Sequence, residues 1–306
     1  MNLETLNNKQ KKAVEKIGGP ILVFAGAGSG KTRVLTHKIA HLIEDIGLPP
    51  NNILAVTFTN KASQEMKSRV IDLVQCDISG ISIGTFHSIS AQILRKHISK
   101  IDYSNDFTIY DQQDARLVVK QIIKNFNLDL KQYDPKSFQT RISNAKNSMQ
   151  TPEYFETIKD SYIDEKFYLI YKEYQKILKS NNSVDFDDLL ILPIKLFKEF
   201  PEVLSHYQKK FKYVLVDEYQ DTNKPQFELI YLISKSHKDI FVVGDDDQSI
   251  YGWRGADISN ILNFKEAFGV ATIIKLEQNY RSTKNILEAA WSVVSKNTNR
   301  AEKKLW

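Results

Sequence analysis

The feature that most constrains how this chain can fold is an apolar run that ends in a glycine-rich turn and continues into a helical pattern. Residues 21–24 are apolar throughout, residues 25–32 read Ala-Gly-Ala-Gly-Ser-Gly-Lys-Thr, and a helical pattern follows. Glycines allow backbone N–H groups to converge on a phosphate without Cβ clashes. The amino end of a helix adds further donors and positive potential. This order of elements predicts a phosphate-binding loop between a strand and a helix.

The loop predicts a site for a nucleoside triphosphate. In the pattern G-x-x-x-x-G-K-[ST], the lysine is a point charge for the β- and γ-phosphates and the hydroxyl is a ligand for Mg²⁺. Lys31 and Thr32 fill these positions, whereas Ala25 stands where the pattern has its first glycine. The other glycines and both flanks fit the pattern. The predicted nucleotide-binding residues of the loop are Ala25, Gly26, Ala27, Gly28, Ser29, Gly30, Lys31, Thr32 and Arg33.

A second apolar run supplies the acids that such a loop needs. Residues 213–216 are apolar and lead directly into Asp217 and Glu218. Asp217 is expected to hold Mg²⁺, and Glu218 can polarise the attacking water as a general base. Hydrolysis of ATP or GTP follows from these residues, but a kinase, a transporter ATPase or a GTPase would share them.

Further apolar, β-branched runs define the fold class. They occur at residues 53–57, 81–85, 240–244 and 272–276, and helical patterns alternate with them. Strands that are apolar along their whole length predict a parallel sheet covered on both faces. From about residue 111 to residue 199 the apolar residues recur at helical spacing, which predicts an insertion over roughly residues 89–207. We therefore expect an α/β domain with a mostly helical insertion.

Composition excludes some classes of protein and leaves others open. The 306 residues carry a formal net charge of +5, which permits binding to a polyanion without requiring it. The single cysteine, Cys76, excludes internal disulfides and a thiolate metal site, and we expect it to be half-buried. No run is long enough to predict a membrane span, and residues 1–20 lack the layout of a secretory signal. A cytoplasmic protein is the resulting expectation.

Several other segments resemble motifs of superfamily 1 DNA helicases of the UvrD/Rep/PcrA family. The most specific is Val-Gly-Asp-Asp-Asp-Gln-Ser-Ile-Tyr-Gly-Trp-Arg-Gly-Ala at residues 243–256, which resembles motif III. The remaining matches are residues 217–223 to motif II, 278–282 to motif IV, 55–62 to motif Ia, 84–88 to the motif after it, 6–10 to the Q motif and 185–189 to a further segment. They occur in the family's order and extend over nearly the whole chain.

This resemblance implies a RecA-like ATPase and assigns roles to individual residues. Gln10 would recognise the adenine edge, and Tyr280 would stack on the base. Gln248 would sense the γ-phosphate, and Arg281 would contact it as one of two arginines. A glutamine amide carries both a donor and an acceptor, so it can pair with the amino group and N7 of adenine. The predicted catalytic residues are Lys31, Asp217, Glu218, Gln248 and Arg281, with ATP and Mg²⁺ as cofactors and Thr32 and Asp217 as metal ligands.

The resemblance also implies a path for single-stranded DNA. Exposed aromatic side chains stack on any base, which suits a motor that must not depend on sequence. The predicted DNA-binding residues are Thr57, Phe58, Thr59, Asn60, His87, Phe186, Tyr251, Trp253 and Arg254. Two alternatives stay open at this point: Phe58 and Phe186 could be core aromatics, and His87 could support the helix that begins beside it.

The family's domain layout implies a division of the chain. Residues 1–88 and 208–277 would form the ATP-binding motor domain (1A), residues 89–207 the helical insertion (1B) and residues 278–306 the opening of a second RecA-like domain (2A). The chain ends on apolar Leu305-Trp306, so we expect further domains in cis beyond it. Without a second arginine the 306 residues would bind ATP weakly, hydrolyse it slowly and unwind nothing.

The leading hypothesis is an ATP-driven motor that moves 3′ to 5′ on single-stranded DNA and acts on single-strand/double-strand junctions in DNA repair or replication. Its partners would be DNA and other repair or replication proteins, with no membrane involved. Two alternatives remain. The chain could be the helicase part of a helicase–nuclease or defence system, or a non-catalytic module that binds DNA or docks a partner.

Overall fold

The computed structural model describes residues 3–158, 161–297, 300–301 and 303–306, and of Arg254 only the backbone. The strands are β1 (Ile21–Ala25), β2 (Ile53–Thr57), β3 (Ser82–Thr85), β4 (Thr108–Tyr110), β5 (Ser183–Asp185), β6 (Tyr213–Val216), β7 (Ile240–Gly244) and β8 (Thr272–Leu276). The helices are α1 (Asn8–Glu15), α2 (Lys31–Glu44), α3 (Asn60–Leu73), α4 (Phe86–His97), α5 (Gln112–Asn125), α6 (Pro135–Asn147), α7 (Pro152–Thr157), α8 (Tyr162–Ser180), α9 (Asp188–Glu199), α10 (Pro201–Lys210), α11 (Lys224–Ser234), α12 (Ser259–Leu262), α13 (Phe264–Phe268) and α14 (Lys284–Val294).

The main sheet confirms the predicted fold class. Among the described residues it has six parallel strands in the order β3-β2-β6-β7-β1-β8. Every residue of β1, β2, β6 and β7 is buried, as expected for strands covered on both faces. Because the strands are parallel, their carboxyl ends share one edge, and β6, β7 and β1 are consecutive there. The loops after these three strands are therefore neighbours in space.

The chain divides into two compact units. The first contains residues 1–86, 204–222 and 230–306, and the second contains residues 87–203 and 223–229. The first unit holds the parallel sheet and its core, in which Val23, Leu35 and Phe241 are fully buried. The described residues after residue 277 lie within this unit.

The second unit is mostly helical. Its core is built from the apolar faces of α5, α6, α7 and α8, with Val119, Phe167 and Tyr174 at its centre. It also contains a small parallel sheet in which β4 pairs with β5. Each of these strands has only three residues, too few to produce the alternation or apolar run that would have predicted them from sequence.

A buried lysine organises the end of this core. The ammonium of Lys146 lies 2.6 Å from Asp185 Oδ2 and 2.7 Å from Asp188 Oδ1, and its side chain is only 2% exposed. The hydroxyl of Tyr174 donates to the same Asp185 oxygen at 2.8 Å. Burial acts to lower the pKa of Lys146, but the two carboxylates outweigh it and raise that pKa. The ion cluster joins α6 to the turn between β5 and α9.

Two further observations concern single features. Cys76 is exposed, so the expectation of a half-buried thiol is wrong. It lies in a bend three residues after the end of α3, and both of its chain neighbours are exposed as well. None of the helices within the described residues combines the length and apolar character that a membrane crossing requires.

We predict that Lys146→Met lowers the free energy of unfolding by about 3–5 kcal/mol, because it leaves two buried carboxylates without their cation. Urea denaturation followed by far-UV circular dichroism would measure the change. Lys176→Met is the matched control, since Lys176 lies on α8 with its side chain 74% exposed, and it should change stability by less than about 0.5 kcal/mol. Equal stability of Lys146→Met and wild type would contradict the assigned role of the cluster.

Candidate active site and aromatic groups

The glycine-rich loop adopts a backbone that only glycine accepts easily. Gly28 and Gly30 have φ values of 69° and 92°, in the left-handed region, and Gly30 is the N-cap of α2. A Cβ added to Gly30 would lie 2.7 Å from Nε2 of Gln10. The loop is thus shaped both by its own backbone and by the side chain that packs on it.

Lys31, the first residue of α2, brings three motifs together. Its Nζ lies 3.0 Å from Glu218 Oε2 and donates to Gln248 Oε1 at 3.2 Å. The lysine side chain is 11% exposed and that of Glu218 is 37% exposed. These contacts follow from the sheet order, since Glu218 lies after β6 and Gln248 lies after β7. The structure therefore gathers Lys31, Glu218 and Gln248 into one polar cluster.

Glu218 has an uncommon backbone conformation for a residue with a side chain. Its φ of 47° and ψ of 45° lie in the left-handed region. Such a conformation costs on the order of 1–3 kcal/mol and is found most often at functional sites. Here it turns the chain sharply after β6, and the carboxylate meets Lys31.

Asp217 is a buried acid without an ammonium partner of its own among the described contacts. It is 6% exposed, and its Oδ1 accepts a hydrogen bond from the N–H of Glu218 at 3.0 Å. Burial and then the charge of Glu218 raise the pKa of Asp217 to about 7. Its carboxylate and the hydroxyl of Thr32 are hard oxygen donors of the kind that Mg²⁺ prefers. The chemistry of these donors fits the predicted metal.

The predicted adenine-binding glutamine is held on both sides by the protein. Gln10 Oε1 accepts from the N–H of Asn7 at 3.0 Å, and Gln10 Nε2 donates to the carbonyl of Ser29 at 2.9 Å. Each end of the amide still has one hydrogen-bonding position left. Lys38, on α2, holds the end of α1, the helix that carries Gln10. The ammonium of Lys38 donates to the carbonyl of Val14 at 2.9 Å and to the carbonyl of Lys16. Burial lowers the pKa of Lys38 to about 7.

Residues after β8 return to the glycine-rich loop. The N–H of Tyr280 donates to the carbonyl of Gly28 at 3.0 Å, and Asn279 Nδ2 donates to the carbonyl of Ala27 at 2.5 Å. The side chain of Tyr280 is 58% exposed, and its hydroxyl accepts from Asn7 Nδ2 at 2.7 Å. The Cβ of Arg281 also lies beside Gly28. Tyr280 and Arg281 are thus brought to the loop, as their predicted roles require.

Sequence reasoning missed two residues that connect the motifs. Gln220 is buried; its Nε2 donates to Glu218 Oε2 at 3.0 Å, and its Oε1 accepts from the N–H of Asp245 at 2.9 Å. Asn279 contacts the loop as described above. Both lie inside segments already matched to motifs, but nothing in the sequence singles them out. The fold shows that each side-chain amide forms hydrogen bonds between the ends of two neighbouring strands.

The residues after β2 form a polar helix start. Thr59 is the N-cap of α3 and accepts from the N–H of Ala62 at 3.1 Å, and Asn60 is the first helical residue. Thr57 is buried and donates to the carbonyl of Thr59 at 3.1 Å. Phe58 is half-buried and meets Phe86 edge to face, with ring centroids 5.6 Å apart. Phe58 is therefore neither a core residue nor a freely exposed one.

The other predicted aromatic residues form two groups, one in each unit. In the second unit His87 stacks on Phe186 with ring centroids 3.8 Å apart, and Phe186 is 57% exposed, which excludes the core alternative for it. In the first unit Tyr251 and Trp253 lie 6.5 Å apart, and Trp253 is 72% exposed. The side chain of Arg254 lies outside the described residues.

We predict an acid-dependent stability contribution from His87, because burial lowers its pKa to about 4 while the unfolded chain keeps a value near 6.5. Between these values the unfolded state binds a proton that the folded state does not, so stability falls as the pH falls. Between pH 7 and pH 4.5 the free energy of unfolding should therefore fall less in His87→Gln than in wild type. The expected difference is about 1–2 kcal/mol, which allows for partial solvent screening.

The measurement is urea denaturation of wild type and His87→Gln over this pH range, with the His87 ring titrated directly by NMR. A His87 pKa at or above 6.5, or identical pH profiles for the two proteins, would contradict the buried, neutral imidazole.

Comparison with known proteins places this site in a family. Residues 6–269 match the model of the UvrD/REP helicase N-terminal domain. The chain is 49% identical over 304 residues to a protein of Staphylococcus epidermidis and 50% identical over 304 residues to one of Bacillus subtilis, both named ATP-dependent DNA helicase PcrA. A protein of the same name from Leuconostoc citreum is 49% identical over 311 residues.

These alignments cover almost all of this chain but less than half of each relative. They include 99% of the chain with the Staphylococcus and Bacillus proteins, and 42% and 41% of those proteins respectively. The chain thus spans about two fifths of the length of the relatives it matches. The family model matches most of the chain, on a RecA-like parallel sheet with its phosphate loop in place. The chain therefore belongs to the UvrD/REP helicase family and carries the N-terminal domain of that family.

Proposed function

We propose that this chain is the ATP-binding part of an ATP-dependent DNA helicase that moves along single-stranded DNA. The observation that carries the proposal is the cluster of Lys31, Glu218 and Gln248 at the carboxyl edge of the sheet. It joins a phosphate loop, a candidate general base and a motif III glutamine in one unit. The names of the relatives at 49–50% identity support the same function and favour it over a helicase–nuclease.

Each residue of the cluster has a distinct task in the proposed reaction. Lys31 neutralises charge on the β- and γ-phosphates, and the amides of the glycine-rich loop hold the phosphate oxygens. Glu218 accepts a proton from the attacking water. Thr32 and Asp217 would hold Mg²⁺, which when bound neutralises phosphate charge. Lys31 pairs with Glu218, and a phosphate that binds Lys31 would compete for the same ammonium and release the carboxylate for its role as base.

The proposed DNA contacts use the exposed aromatic side chains of each unit. Trp253 and Phe186 are more than half exposed. Large apolar rings left in contact with water are normally unfavourable. Base stacking on such rings is independent of sequence. Thr59 and Asn60, at the start of α3, are suited to backbone phosphates. The polarity we propose is 3′ to 5′, as the family resemblance implies, with roles in DNA repair or replication.

We further propose that the 306 residues hydrolyse ATP slowly by themselves. The resemblance assigns the γ-phosphate two arginines, of which this chain supplies Arg281. Loss of an arginine finger costs about 10³–10⁵ in rate. Robust ATPase activity stimulated by single-stranded DNA, or unwinding of a tailed duplex by this chain, would contradict the proposal.

Glu218→Gln tests the hydrolytic role. Under single-turnover conditions, with protein in excess over ATP, we expect the rate of hydrolysis to fall by about 10²-fold or more, because the general base is lost. Affinity for ATP should stay within about threefold, since the charge of Lys31 remains. Lys31→Ala is the matched comparison and should lose nucleotide binding itself. Equal hydrolysis by wild type and Glu218→Gln would instead favour the non-catalytic DNA-binding module.

Trp253→Ala tests the DNA contact. Loss of one stacked base should cost about 1–3 kcal/mol, which is roughly a 5- to 150-fold rise in the Kd for labelled single-stranded DNA in filter binding. Tyr162→Ala is the control, because Tyr162 is another exposed aromatic residue outside the predicted set, 62% exposed at the start of α8. The same Kd for both variants would exclude Trp253 from the DNA path.

A further inference from the structure

The loop after β7 holds three consecutive acids. Asp245 and Asp246 are buried, Asp247 is half-buried, and a carboxylate oxygen from each lies within 4.8 Å of the others. Like charges this close, and removed from water, are strongly destabilising unless a cation compensates them. Residues 242–250, which surround the three acids in the sequence, include no lysine or arginine.

The compensating cation comes from the chain's last residues. Lys303 is buried, and its Nζ lies 2.9 Å from Asp245 Oδ1 and 2.8 Å from Asp247 Oδ2, with Asp246 as its third partner. Arg300 adds a bidentate pair to Asp247 at 3.0 and 2.8 Å. Burial opposes the charge of Lys303, but the three carboxylates outweigh it and raise its pKa.

Asp245 links this cation to the nucleotide site. Its Oδ2 accepts a hydrogen bond from Gln248 Nε2, and Gln248 Oε1 in turn accepts from Lys31 Nζ at 3.2 Å. A side-chain amide has one donor end and one acceptor end. The carboxylate of Asp245 therefore decides which end of Gln248 faces the phosphate loop. A continuous polar chain runs from Lys303 through Asp245 and Gln248 to Lys31.

We propose that Lys303 is a positioning residue of the ATP site: it holds Asp245 where that carboxylate orients the Gln248 amide, with its oxygen toward Lys31. The expected effect of Lys303 on ATP hydrolysis rests on the proposed function. The orientation of Gln248 does not, since it exists in the chain without nucleotide. Lys303 touches neither phosphate nor Lys31, and its effect passes through Asp245.

The first test reads the orientation of Gln248 directly. The side-chain amide resonances of Gln248 are followed by NMR in the chain without nucleotide. In Lys303→Met they should move toward the values of a free glutamine, whereas Lys304→Met should leave them unchanged, because Lys304 is the exposed neighbour. Unchanged Gln248 resonances in a folded Lys303→Met protein would overturn the proposal, whether or not the chain hydrolyses ATP.

The second test is a double-mutant cycle under single-turnover conditions. Lys303→Met should slow hydrolysis by about 10-fold or more while the Kd for ATP changes by less than about threefold, as expected for a residue that acts on the reacting arrangement. Gln248→Ala combined with Lys303→Met should be no slower than Gln248→Ala alone, because both changes interrupt one chain. Additive losses would overturn the assignment, and Lys303→Arg, which keeps the charge, should recover most of the rate.

A third variant separates positioning from simple charge balance. If Lys303→Met does not fold, the pair Lys303→Met and Asp246→Asn removes one of the uncompensated acids and restores folding. This pair should still show displaced Gln248 resonances, because Asp245 has lost its cation. A wild-type pattern in this variant would mean that Lys303 only balances charge, and the proposal would fail. Absence of ATP hydrolysis in wild type would count against the proposed function alone.

Discussion

A single ammonium group joins the three strand ends on which the rest of the site is built. Lys31 follows β1, and its Nζ contacts Glu218 after β6 and Gln248 after β7. These strands are adjacent in the sheet, so the contact needs no long loop. The parallel order β6-β7-β1 is thus what converts motifs separated by about two hundred residues of sequence into one polar cluster. A sheet with another order would carry the same residues without bringing them together.

Carboxylates that are removed from water lie close together at this edge of the sheet. Asp217 and Asp221 have pKa values raised to about 7 and about 6, in both cases by burial and then by the charge of Glu218. The left-handed backbone of Glu218 places that carboxylate against Lys31, and its charge still raises the pKa of Asp217. The charge of Lys31 acts to lower the pKa of Asp217 and of Asp221, but burial and the charge of Glu218 outweigh it. The site stores unfavourable charge and strain at the place where nucleotide and metal are expected to act, a common property of functional sites.

The sequence predicted those parts of the molecule that depend on short-range pattern. The parallel sheet, the glycine-rich loop and the acids after β6 each follow from contiguous residues, and the fold class was confirmed. Contacts between distant residues were not accessible in this way. Lys146 looked like any helical lysine, and its burial between Asp185 and Asp188 depends on how α6 packs against the β5–α9 turn. Likewise Lys303 is 57 residues from Asp246. No local rule identifies such partners.

In the loop that follows β7, residues proposed to bind nucleotide and residues proposed to bind DNA are close together in the sequence. Gln248 lies in the polar cluster, and Tyr251 and exposed Trp253 follow it within five residues in the same unit. The N–H of Ala256 donates to the carbonyl of Tyr251 at 3.2 Å and closes the turn around Trp253. The N–H of Asp257 donates to the carbonyl of Thr222 at 2.9 Å and holds the carboxyl end of the segment. A displacement of Gln248 on phosphate binding would therefore pass into the aromatic residues. Asp245 contacts both Gln248 and Lys303, so the proposed positioning by Lys303 would limit how far the start of that segment can move.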